Sequence, residues 1–152
     1  MNYVKALTLL VMMSAAALWA QTRAMVLDDS LSQVETPALE MQWRPHTQDA
    51  IDAGMEAWVR VRVHIDTRPL VGQRGRVYLV LPVDQPPAVE AVWSSSGVLL
   101  PGRVVSGERG LAYSGLISAS SLRDVITVRL RTSSEWFSTS RRLRFHYEFE
   151  PD

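Results

Sequence analysis

In AWVRVRVHID, residues 57–66, every second side chain is apolar. An extended chain sends Ala57, Val59, Val61, Val63 and Ile65 to one side and Trp58, Arg60, Arg62, His64 and Asp66 to the other. A helix would scatter the five apolar groups around its circumference. They form a continuous face only at a period of two, so this stretch predicts a half-buried β-strand.

The same period recurs downstream. In VITVRLRTS, Ile126, Val128 and Leu130 alternate with Thr127, Arg129 and Arg131. In the closing RRLRFHYEFEPD, Leu143, Phe145, Tyr147 and Phe149 oppose Arg142, Arg144, His146, Glu148 and Glu150. This last ribbon is expected to complete the core, with its charged side discouraging uncontrolled pairing if it lies at an edge. RVYLVLPV, from Arg76, is apolar on both sides and predicts a central strand covered on both faces. AVEAVWSSSG gives a short strand through Val89, Ala91 and Trp93, followed by a Ser/Gly turn. VLLPGRVVS and LAYSGLIS flank GERG, which reads as a hairpin loop. Turn signals rich in Gly, Pro and Ser recur between these runs, and no long helix is indicated.

Seven to eight short strands therefore predict an all-β chain, a single antiparallel β-sandwich of immunoglobulin-like architecture. A closed barrel is the competing closure. The sandwich domain is placed at residues 41–152, with a short strand at Met41–Arg44 and at most one helical turn before Gly54. Residues 25–40 form an acidic lead arm. Leu27, Leu31 and Val34 there have helical spacing and Ser30 with Gln33 resembles a capping box, while Pro37 limits any helix to two turns. A loosely docked arm is the alternative.

The first twenty residues read as a secretory signal peptide. One positive charge before Ala6 precedes an uncharged apolar run to Ala20, with small residues suited to cleavage there or as late as Ala24. The run falls short of the roughly 20 apolar residues that span a bilayer. The mature chain, about 130 residues, is expected to be exported, periplasmic or at the cell surface, with no transmembrane segment. The chain has no cysteine, so no disulfide, thiol chemistry or lipidated cysteine is available. About 130 residues are enough for one core held by burial alone.

Charge narrows the partners. Without Lys5, the only lysine, 15 Arg stand against 16 acids, which argues against nucleic-acid binding. Residues 25–56 are acidic, holding Asp28, Asp29, Glu35, Glu40, Asp49, Asp52 and Glu56 against Arg44. The following 57–152 carry 13 Arg against 9 acids. Either the acidic arm packs beside the basic body or the body presents a surface to an anionic partner.

No GxSxG, HExxH, phosphate-binding loop or EF-hand spacing is present. No catalytic residue, metal site or cofactor is therefore assigned. His64 and His146, both on polar strand faces, would approach a metal half-site only if their strands were neighbours. The candidate binding face consists of Trp58, Arg60, Arg62, His64, Arg129, Arg131, Arg142 and Arg144, should their strands share a sheet. Guanidinium forks there would bind carboxylate, phosphate or sulfate groups. Their alternative role is pairing with Glu148, Glu150, Asp66 and Asp124 on a solvated face. Trp136 and Phe137, in the loop SEWFSTS, are candidate contact residues or a plug for the open end of the core.

In general build the chain resembles small exported β-sandwich proteins, among them surface-appendage subunits and accessories, although no motif transfers a role. The expectation is a non-enzymatic interaction module that binds or assembles with an envelope or surface protein. The alternative is a carbohydrate-binding module for an anionic glycan, using the Arg/Trp face or Trp136.

Overall fold

The computed structural model of the chain describes residues 24–35, 42–43, 54–83, 89–133 and 144–152. The described residues form ten strands: β1 (Met25–Val26), β2 (Gln33–Val34), β3 (Gln42–Trp43), β4 (Gly54–Asp66), β5 (Arg74–Val80), β6 (Val89–Ser95), β7 (Gly102–Val105), β8 (Arg109–Leu116), β9 (Ser121–Ser133) and β10 (His146–Pro151). Arg68–Leu70 adds a single 3₁₀ turn. No helix among these residues is long and apolar enough to cross a membrane. The signal-peptide segment lies outside the described residues.

The strands make two antiparallel sheets. The small sheet has the order β1-β10-β5-β8, and the large one β2-β4-β9-β6-β7, with β3 also paired to β4. The alternating 57–66 stretch sits inside the thirteen-residue β4, which pairs along its whole length with the thirteen-residue β9, from Gly54↔Ser133 to Asp66↔Ser121. Inward side chains of the large sheet (Val59, Val63, Ile65, Trp93, Ile126, Val128) and of the small sheet (Val77, Leu79, Ala112, Tyr147, Phe149) belong to one buried cluster. The result is a β-sandwich-like arrangement in which each sheet turns its polar side outward.

Trp93 is the largest side chain in that core, 2% exposed, and its indole Nε1–H donates to the Leu100 carbonyl at 2.8 Å. Gly102 and Gly110 lie against its ring. A Cβ on Gly110 would stand 2.6 Å from Trp93 Cη2 and 2.7 Å from the Arg103 carbonyl oxygen. Both positions therefore leave room for the indole, which no larger residue would do. The buried carboxylate of Asp124 secures the adjoining turn. It accepts from Ser95 Oγ (2.7 Å), the Leu99 amide (2.7 Å) and the Val125 amide (2.6 Å).

Several expectations are corrected. GERG does not close a hairpin, because β7 pairs with β6 in the large sheet and β8 with β5 in the small one. The turn is a corner between sheets, with Gly107 at φ +87°. A side chain in that left-handed region would be strained. β5 is central in its sheet but not covered on both faces. Arg76, Tyr78 and Val80 look outward, half-buried only by neighbouring side chains.

Residues 24–35 form no helix. Met25–Val26 pairs with β10, Leu27 enters the core, and the chain crosses to pair Gln33–Val34 with β4. Leu31 and Val34, which share helical spacing with Leu27, are exposed. Ser30, Leu31 and Ser32 form the turn, and the Ser32 amide donates to the Asp29 carbonyl at 2.8 Å. Gly54 opens β4, and the helical turn expected before it lies outside the described residues. The closing ribbon is an interior strand, since β10 lies between β1 and β5.

Candidate functional site

The register of the large sheet assembles its outward side chains into rows. Glu56 on β4 faces Arg131 on β9, which faces Glu90 on β6. The next row runs Trp58, Arg129, Val92 and Arg103, from β4 through β9 and β6 to β7. Below it come Arg60, Thr127 and Ser94, then Arg62 and Val125, then His64 and Arg123. Each strand contributes every second residue, so the pattern follows from the alternation once the pairing is fixed.

Of the expected face, Trp58, Arg60, Arg62, His64, Arg129 and Arg131 are brought together on this side. Arg144 is not, and this corrects its assignment. It precedes β10, which pairs with β5 in the other sheet. Alternation assigns a residue to a face of its strand but does not say which sheet the strand joins. Arg142, Trp136 and Phe137 lie outside the described residues. Arg103 and Arg123 belong to the face and were missed. Extending the 125–133 alternation two residues toward the N-terminus would have placed Arg123. Arg103 carries no comparable signal, because only its pairing partner β6 fixes its side.

The two outer faces arrange their charges differently. On the small sheet, Arg109 Nη2 meets Glu150 Oε2 at 2.7 Å and its guanidinium lies 4.3 Å from the Tyr78 ring centroid. Arg76 reaches Glu150 at 3.4 Å and Asp152 at 3.7 Å, and His146 lies 3.2 Å from Glu148. Arg74, Arg76 and Arg109 thus share that side with Glu148, Glu150 and Asp152, and Arg144 precedes β10 in the same sheet. On the large sheet, among the described residues, Arg60, Arg62, Arg103, Arg123, Arg129 and Arg131 share the face with Glu35, Glu56 and Glu90, and with Asp66 at the end of β4.

Each of these acids already has a basic partner, Asp66 in Arg68. Glu35, carried in by β2 at the sheet edge, takes Arg60 Nε at 3.0 Å and Arg62 Nη2 at 2.9 Å. This is the acidic arm packing beside the basic body. Glu90 bonds Arg103, the main reason its carboxyl is held below the usual range, and it also attracts Arg131 at 3.8 Å. Glu56 stands 3.9 Å from Arg131. Asp124, one expected partner, faces the core instead.

The row of Trp58 contains no carboxylate. Trp58 is 58% exposed in the middle of a rigid strand, and the Arg129 guanidinium lies 5.6 Å from its ring centroid. Within about 6 Å a cation is attracted to the ring face. Arg129 has no salt bridge among the described residues, and its Nε is shielded from solvent without a hydrogen-bond partner there. The guanidinium and the indole hold one another in place and leave their outer surfaces open.

His64 and His146 lie on different sheets, so the metal half-site does not form. Among the described residues no cluster of three or more potential ligands is present. His64 instead borders a cleft at the end of the large sheet, beside Asp66, Ser120, Ser121 and Arg123. Asp66 is clamped by Arg68, Nη2 to Oδ2 at 2.5 Å, which pulls its pKa down to about 2. Comparison with protein-family models, with curated proteins and with solved structures found no match.

Proposed function

We propose that the chain is an exported, non-enzymatic interaction module of immunoglobulin-like sandwich architecture. It binds or assembles with another envelope or cell-surface protein, as a subunit or accessory of a surface assembly would. Its contact surface is the outer face of the large sheet, and its partner presents a carboxylate-rich surface with an apolar recess. The observation that carries this is the acid-free row of Trp58, Arg129, Val92 and Arg103.

Trp and Arg are the side chains most enriched at the energetic centres of protein interfaces. An indole buries a large apolar area at the cost of two torsions, and here Arg129 already restricts them. The guanidinium groups around it supply bidentate donors for carboxylates and a field that steers an acidic partner. Binding would therefore be fast at low salt and slow as salt screens the face.

The test is affinity for the partner recovered with the protein from its native envelope. Trp58→Ala and Arg129→Glu should each weaken binding by about thirtyfold or more, the scale of an interface hot spot. Circular dichroism should show both variants folded. Two folded variants that bind as the parent does would refute the assignment of this face.

A further inference from the structure

We infer that the cleft at the His64 end of the large sheet binds an acidic sugar, a ligand with one carboxylate and several hydroxyl groups. The cleft encloses about 510 Å³, within the range of small-ligand sites. It lies six residues along β4 from Trp58, a distance of about 20 Å in an extended strand. It thus occupies the far end of the same face, away from the Trp58 row, and its argument does not depend on that row.

Its groups divide into those already engaged and those left open. Asp66 and Arg68 satisfy one another, with Arg68 Nε also 3.0 Å from both Asp66 oxygens. Asp28 accepts from Ser30, its Oδ1 from the Ser30 amide at 2.9 Å, and these Ser30 contacts lower its pKa; no arginine pairs with it among the described residues. Arg123 is exposed and has neither a salt bridge nor a side-chain hydrogen bond among the described residues. The His64 ring and the hydroxyls of Ser120 and Ser121 likewise make no side-chain hydrogen bond among the described residues, His64 and Ser121 being half-buried.

These open valences specify a chemistry. Arg123 offers a planar fork to a carboxylate. Asp28 can accept from sugar hydroxyls, while His64, Ser120 and Ser121 can donate or accept. Leu31, 65% exposed on the arm, gives the C–H face of a pyranose an apolar wall. Two arginines balance two aspartates around the cleft, so a doubly charged phosphate ester would meet two carboxylates with little net attraction. A monocarboxylate meets about half of that repulsion and still takes the Arg123 fork. Arg123 and His64 are opposed across the β4–β9 ladder, so the ladder fixes their backbone spacing before any ligand arrives.

The experiment is a titration of the isotope-labelled full mature chain, followed by amide chemical shifts, with three probes: D-galacturonate, D-galactose and acetate. Galacturonate should bind with millimolar affinity, the scale for so small a ligand. Its shifts should centre on residues 31, 64 and 120–123. Galactose and acetate should each bind at least about tenfold more weakly, because each lacks one half of the recognised chemistry. Arg123→Gln should lose about tenfold or more of the galacturonate affinity, and Asp28→Asn should reduce it without changing the response to acetate. Trp58→Ala should leave it unchanged, which separates this cleft from the Trp58 row. Acetate binding as tightly as galacturonate would reduce the cleft to a simple anion site and overturn the inference. Equal binding of galactose, or absence of shifts at the cleft, would overturn it as well.

Discussion

Replacing Asp124 with alanine should be among the most damaging single changes available to this fold. The carboxylate is 7% exposed on the inward side of β9 and receives three hydrogen bonds. Two come from Ser95 Oγ at the end of β6 and from the Leu99 amide in the β6–β7 connection, so one side chain ties both to the central strand. Gly97 packs so closely over it that an added Cβ would stand 2.8 Å from Oδ1. Alanine would leave the buried Leu99 amide without an acceptor, at about 1–3 kcal/mol, and forfeit a charge-assisted bond from Ser95 worth about 1.5 kcal/mol or more. A loss of about 3–4 kcal/mol follows. That is a large part of the 5–15 kcal/mol typical of a domain. At this size it corresponds to a fall in Tm on the order of 10 °C. Asp124→Asn keeps one acceptor oxygen and should cost about half as much. Urea denaturation gives the free energy, and hydrogen exchange at the Leu99 amide shows whether the loss is local to the predicted bond. An alanine variant destabilised by less than about 1 kcal/mol, or one that leaves Leu99 protection unchanged, would refute this account of the turn.

Three further outcomes follow from individual contacts. Gly110→Ala should cost about 1–3 kcal/mol by forcing a methyl group against the Trp93 ring, measured by denaturant midpoint and by the near-ultraviolet signal of the indole. Burial raises the carboxyl pKa of Asp29 above its ordinary value. A carboxyl whose folded pKa is raised loses stabilisation as pH rises through that value, so Asp29→Asn should be more stable than the parent at neutral pH. The difference should vanish below about pH 3.8, the unfolded value, and Tm measured from pH 3 to 7 checks the sign. Glu35→Gln should change stability by less than about 1 kcal/mol, because the Arg60 and Arg62 side chains it pairs with are 61% exposed. It should speed association with an acidic partner, read as a higher association rate at low salt.

The parts of the fold legible in the sequence are those where one local pattern settles the outcome. The alternation around Val59–Ile65 and Ile126–Leu130 marks two strands because no other regular structure buries those residues together. Trp93 falls inside for the same reason. What escaped depends on contacts distant in sequence. GERG carries the turn chemistry of a hairpin, yet the same residues serve a corner between sheets, and only the pairing of β7 with β6 decides between them. Leu27, Leu31 and Val34 imitate a helical face by spacing, although only Leu27 is buried. The candidate face was legible strand by strand through Arg60, Arg62, Arg129 and Arg131. Its membership required the ladder, which brought in Arg103 and Arg123 and left Arg144 to the other sheet. The clamp by Glu35 was equally hidden, because it depends on the arm crossing from one sheet to the other.

The central claim is that the Trp58 row contacts a partner protein. Site-specific photocrosslinking tests it most directly, with a photoreactive side chain placed at position 58 in the full-length protein in its native host. A control probe at position 78 sits on the outer face of the small sheet, where Arg109 lies over the Tyr78 ring and pairs with Glu150. The account predicts one defined crosslinked species from position 58, lost when Arg129→Glu is added, and none from position 78. Equal crosslinking from both positions, or a species from position 58 that survives Arg129→Glu, would contradict it.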